Sequence, residues 1–334
     1  MRKMLVFLAL VAMLTSILTL GGCKKEKEVK DIVLSEVIHS IFYAPQYVAL
    51  HKGFFLEEGL NVRIDVANGA DRGAAALLSG SAQVALFGSE AAVYSWHQGA
   101  GDPIIAFGLL CQRDGSFLVG RKPSDNFAWS ETQGKVIIGG RKGGVPQMVL
   151  EHSLLTNGLT PQKDVEIIQN IGLTATAAAF KEGTGDYLQV WEPGASLLVK
   201  AGAGYIVAPM SKTSGLLPYT VFHATKSYME KNPEVIQSFT RAVYKAQIWV
   251  KNASATDIAK VIAPSFPNMD EAHMAEIVER YKSLGVWAAN PILPAEALDN
   301  LQNMMIQAGE LTAKVPYDKV VNTTFAQKAV NSIK

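Results

Sequence analysis

The sequence predicts an α/β protein of two lobes, each a mostly parallel sheet flanked by helices, with two hinge crossings between them. Three observations predict it. At 334 residues the chain is about twice a typical domain length. Short apolar runs alternate with helical patterns, the mark of strands joined by crossover helices. One phrase also occurs twice: a helical run, a Gly stop, a polar residue and a strand, in Ala75–Phe87 and again in Ala178–Val190. Gly80 and Gly183 end the helices, and Gln83 and Asp186 occupy matching places before the strands.

The elements follow in order. A strand is predicted over Ile32–Ile38, a helix over Pro45–Lys52, a strand over Val62–Val66 and a helix over Ala70–Leu78. Val84–Phe87 reads as a strand, Ala91–Trp96 as a short helix, then Pro103–Leu110 and Phe117–Gly120 as extended runs. The polar, turn-rich stretch 123–134 precedes a strand over Lys135–Gly139, which opens the second lobe. Leu216, Leu217, Tyr219, Val221 and Phe222 fit a strand returning to the first lobe, and the text from Pro233 onward is mostly helical. Lobe 1 is therefore assigned to 31–116 and 216–334 and lobe 2 to 117–215.

Composition excludes several classes. Hydrophobic residues make up 49% and charged ones 18%, which rules out a disordered chain. Lys plus Arg is 31 against 30 Asp plus Glu, with no basic stretch interleaved with aromatics, so nucleic acid is not an expected partner. Two cysteines, at 23 and 111, cannot build a zinc or iron–sulfur site or a disulfide framework, and neither metal nor cofactor is expected.

The first residues read as an address. Arg2 and Lys3 precede an uncharged apolar run from Met4 to Leu20, closed by Leu20-Gly21-Gly22-Cys23. This resembles a bacterial lipobox, implying a signal peptide over 1–22, a lipidated (palmitate-bearing) Cys23 and a charged tether over 23–30. A protein so anchored sits on the extracytoplasmic face of a cell membrane. With Cys23 acylated, Cys111 is left as a small buried hydrophobe.

Lipobox, tether, Ala44-Pro45-Gln46-Tyr47-Val48-Ala49-Leu50 and then Lys52-Gly53-Phe54-Phe55-Leu56-Glu57-Glu58-Gly59-Leu60 resemble the solute-binding components of ABC importers. The likeness is to the nitrate/sulfonate/thiamine-precursor type, and Leu78-Ser79-Gly80, Gly134-Lys135-Val136 and Glu192-Pro193 fit the same pattern. It implies a periplasmic-binding-protein-like fold of type II, a small-molecule ligand, an ABC permease and its ATPase as partners, and a monomer. From the residues alone, Gly53 and Gly59 are helix stops and Phe54, Phe55 and Leu60 are core, so this motif is scaffold.

Ligands in open α/β sheets bind beyond the carboxyl ends of strands, which selects the candidates. His39, Ser40, Phe42 and Tyr43 follow the first strand; Tyr43 and His39 are candidate contacts, Phe42 is core, and His39 has the alternative of bonding a loop carbonyl. Ser89 and Glu90 follow the third strand, as helix cap and dipole partner or as ligand contacts. Trp191 and Glu192 end a lobe 2 strand, an indole to stack on a ring beside an acid to accept from an amino group. Gly143 and Gly144 begin a helix whose amides suit an anion, but Arg141 to Gln147 lacks the hydroxyl side chains that would assist.

Two acids at cleft positions disfavour an anion, so the expected ligand is an amino-bearing aromatic heterocycle such as a thiamine-precursor pyrimidine. The alternatives are a sulfonate, nitrate or taurine-type anion, or a lipoprotein sensor with the same body. Neither a Gly-x-Ser-x-Gly turn nor a metal-spaced His pair is present, so no enzyme is expected.

Overall fold

The computed structural model describes residues 29–333; the leader, Cys23 and most of the tether lie outside the described residues. Ten strands form two five-stranded sheets. The first contains β1 (Lys30–Glu36), β2 (Leu60–Val66), β3 (Val84–Phe87), β4 (Ile104–Cys111) and β10 (Thr220–Thr225), in the order β2-β1-β3-β10-β4. The second contains β5 (Ser116–Gly120), β6 (Val136–Ile138), β7 (Glu166–Ile168), β8 (Tyr187–Trp191) and β9 (Tyr205–Pro209), in the order β7-β6-β8-β5-β9. Below, lobe 1 and lobe 2 mean these sheets with the helices packed on them. Among the described residues no helix is long and apolar enough to cross a membrane.

In each sheet four strands run one way and one, β10 or β5, runs against its two neighbours. The sheets are thus mixed, and topology gives the reason. The strands of both lobes end at the cleft, so a chain that leaves one sheet at its carboxyl edge enters the other at the same edge and must run backward. Residues 112–115 make the first crossing and 210–219 the second, and they are bonded together: Leu217 N donates to Gln112 O at 2.9 Å. Gly115 is obligatory here, because a Cβ would lie 2.2 Å from the Phe42 ring.

The repeated phrase has a shared structural meaning. Gly80 (φ +76°) and Gly183 (φ +104°) turn the chain out of their helices in a conformation that side chains resist. Gln83 then accepts the Val33 backbone amide through Oε1 at 2.9 Å, and Asp186 accepts that of Val136 through Oδ2 at 2.9 Å. In both lobes a side chain just ahead of a strand completes the ladder of its neighbour.

The Gly-Phe-Phe motif is scaffold, as its residue types predict. Phe55 is buried against Phe239 of the helix Pro233–Asn252, ring centroids 4.9 Å apart. Glu57 and Glu58 pair with Lys245 and Arg241 of that helix. Cys111 is also buried; its Sγ lies 3.4 Å from Phe42 O and burial pushes its thiol pKa well up. Thiol-selective reagents are therefore expected to label no Cys111 in the folded protein and one equivalent after denaturation; labelling under native conditions contradicts this packing.

Candidate ligand-binding site

A cavity of about 500 Å³ opens between the lobes. Lobe 1 contributes Tyr43, Gly88, Glu90 and one side of the helix Ala70–Leu78; lobe 2 contributes Trp191 and the turn from Arg141 to Pro146. Tyr43 is set by the 3₁₀ turn Ile41–Tyr43, which Ser40 caps by accepting the Phe42 amide at 3.2 Å. Phe42 is fully buried in the core, as expected of it.

Glu90 is the acid of the cavity. It starts the helix Glu90–His97 and is only 3% exposed. Burial pushes its carboxyl pKa up to about 7, although the amides of Ala91 and of Val145 across the cleft act in the opposite sense. Its Oε2 has no hydrogen-bond partner among the described residues. Gly88 makes room for this carboxyl, since a Cβ there would stand 2.1 Å from Oε2 and 2.7 Å from Val145 Cγ2.

The glycine turn of lobe 2 does not present free amides. Gly143 N donates to Gln147 Oε1 at 2.5 Å and Gly144 N to Arg141 O at 3.2 Å, while the helix start at Val145 faces Glu90. Arg141 is ion-paired with Asp71 across the mouth at 3.2 Å, and Tyr94 hydroxyl donates to Gly143 O at 3.0 Å, a second bridge between lobes.

Of the candidates read from the sequence, Tyr43, Glu90, Gly143, Gly144 and Trp191 line this cavity. Three are placed elsewhere. His39 turns outward, bonding Glu36 Oε1 at 2.8 Å and Ser265 O at 2.7 Å and stacking on Phe266, the loop-carbonyl alternative. Ser89 is buried beside the site and does not cap its helix, because its own backbone is already helical (φ −69°, ψ −7°) and swings the hydroxyl off the first-turn amides.

Glu192, the expected partner of Trp191, is instead a structural anchor. Its side chain is fully buried, ion-paired with Arg280, and accepts from Ser196 N at 2.9 Å and Ser196 Oγ at 2.7 Å. Ser40 Oγ donates to its carbonyl at 2.6 Å, and its backbone amide donates to Tyr281 Oη at 3.1 Å. Trp191 is the last residue of β8 and lines the cleft, whereas Glu192 lies in the turn beyond the strand and points back into protein.

Sequence reading missed Tyr94, Asp71 and the small residues Ala74 and Ala75. A signal was available, since 71, 74, 75 and 78 fall on one helical face with no large side chain before Leu78.

Two α/β lobes joined by paired crossings, with a cavity between them, define the periplasmic-binding-protein fold. Solved structures agree. The chain superimposes on the alkanesulfonate-binding protein SsuA of Xanthomonas axonopodis pv. citri, solved with MOPS, at TM-score 0.70 and 18% identity, covering 89% of this chain and 99% of that one. It superimposes on the periplasmic nitrate-binding protein NrtA of Synechocystis PCC 6803 at TM-score 0.72 and 18% identity, covering 92% and 90%. The chain belongs to the NMT1-like family, which it matches over residues 36–263. A Bacillus subtilis (strain 168) protein named as a binding protein, YtlA, is 44% identical over 93% of both chains. That relative is named for binding and not for a reaction, in line with the non-enzymatic reading.

Proposed function

We propose that this protein is the extracytoplasmic solute-binding component of an ABC importer, lipid-anchored through Cys23, and that it closes its lobes over an amino-bearing aromatic heterocycle. The observation that carries the ligand class is Glu90: a buried carboxyl with an open oxygen, in a cavity that also holds the rings of Tyr43 and Trp191. An amino group supplies the donor that oxygen lacks, and the aromatic side chains suit a flat ring. A ligand touching both lobes favours the closed form by its differential affinity, and the closed form docks on the permease.

The second reading, a sulfonate, nitrate or taurine-type anion, draws on the ligands named for the similar proteins and on Arg141 and Lys142 in the wall. It is disfavoured because a carboxylate of the protein already faces the helix start at Val145, where an anion would sit, and Gly143 and Gly144 have spent their amides.

Melting shifts with a 4-aminopyrimidine, taurine and nitrate separate the readings, since a ligand of the native state raises its stability by mass action. The pyrimidine is expected to raise Tm and the anions not. A rise with taurine or nitrate alone overturns the proposed ligand. Glu90→Gln is expected to weaken pyrimidine binding by roughly ten- to a hundredfold, the range of a hydrogen bond to a charged group, and Trp191→Ala by about tenfold. Unchanged calorimetric affinity in either variant removes that residue from the site.

A further inference from the structure

A single ring does not account for the cavity. An aromatic ring fits a space of about 150 Å³, and this one is about 500 Å³. Much of the lining runs along lobe 1, away from the cleft. The helix Ala70–Leu78 buries Gly73 and Leu77 on the sheet and turns Asp71, Ala74, Ala75 and Leu78 toward the cavity, a face roughly 10 Å long. The helix Glu90–His97 faces it with Ala91, Tyr94 and Ser95.

The floor gives the depth. Thr220 lines the cavity at the cleft, opposite Cys111 at the carboxyl end of β4, and Ile104 lines it at the first residue of the same strand. The lining therefore reaches from Thr220 at the lobe interface to Ile104 at the far edge of lobe 1, a span of roughly 20 Å at strand rise, along the helices Ala70–Leu78 and Glu90–His97. A volume of about 500 Å³ drawn out that far is narrow. Ala74, Ala75 and Ala91 line it between the helices beside Tyr94 and Ser95; Glu90 Oε2, without a hydrogen-bond partner among the described residues, stands at its inner mouth, and the unpartnered hydroxyls of Tyr219 and Thr220 also line the cavity. Leu78 and Gln98 mark the outer end, and Leu78 is 54% exposed.

From this arrangement we infer that the ligand carries an aliphatic chain, which lies between the helices Ala70–Leu78 and Glu90–His97 while its amino-bearing head meets Glu90. The head rests on the function proposed above; the chain rests on the shape and lining of the channel. Such a ligand is a cationic or amino-substituted amphiphile, and apolar burial makes affinity rise with chain length, roughly fourfold per methylene.

Two homologous probe series test this by calorimetry: 5-alkyl-4-aminopyrimidines from methyl to hexyl, and n-alkylamines of matching length. Affinity rising with chain length in both series supports the channel. A rise in the alkylamines alone upholds the channel and overturns the ring. Binding of the pyrimidines with no dependence on length overturns the channel and leaves the ring standing. No binding in either series overturns the inference. Ala75→Phe, which places a ring in the channel from an exposed helix face, is expected to abolish the length dependence. Leu78→Ser, at the outer end, is expected to remove it for the longest chains only, and an unaltered slope in both variants also overturns the channel.

Discussion

Arg280→Ala is expected to lower stability by about 2 kcal/mol, because it strands the fully buried Glu192 carboxylate. Stranding a charge in a sealed pair costs about 3–5 kcal/mol; the lower figure reflects an Arg280 side chain that is 35% exposed and already partly solvated. For a chain of 334 residues the loss corresponds to a fall in Tm of roughly 3 °C. Replacing Glu192 by Gln in the same chain is expected to restore part of it, since no carboxylate is then left unpaired. The pair joins the end of β8 in lobe 2 to the helix Glu271–Ser283, so it ties the lobes together behind the cavity. An Arg280→Ala protein melting like the parent overturns this role.

The second large effect is on pH dependence. The Glu90 pKa of about 7 in the folded protein lies above the ordinary 4.5. Below pH 4.5 the folded and unfolded chains both carry this proton; between 4.5 and 7 the folded chain keeps it and the unfolded chain releases it. Stability of the ligand-free protein therefore falls as pH rises through this window, by about 3 kcal/mol in total. Glu90→Gln has no such group, and its stability is expected to fall less over the same range. Ligand binding has the opposite slope. The ionised carboxyl is the stronger acceptor for an amino donor, so affinity is expected to fall as pH is lowered through about 7 and to level off near that of Glu90→Gln. Denaturant titrations from pH 4 to 8 on both proteins, with calorimetry over the same range, check the two slopes; parallel stability curves exclude Glu90 as the titrating group.

Much of the fold was legible because it rests on local chemistry. Val84–Phe87 is an apolar run with turn signals on both sides and is a strand over those residues, and the paired Gly80 and Gly183 stops were readable from position alone. The cavity was legible only in part. Strand ends pointed to Tyr43, Glu90 and Trp191, but Glu192 and His39 have the same local grammar and differ only in what stands opposite them. Arg280 lies 88 residues from Glu192 and Ser265 lies 226 from His39, and no local pattern encodes such pairings. Gly143 and Gly144 suggested open amides; the side chain of Gln147, one turn onward, fills the first of them.

The reversed strand β10 has a consequence for the order of assembly. β3 and β4 are not neighbours, because β10 lies between them and bonds to both. The sheet of lobe 2 is complete once residue 209 has been made, whereas that of lobe 1 has a gap until Thr225 arrives. As the nascent chain emerges, its first-made half is therefore the last to close, waiting on a segment that the later-made lobe must first deliver.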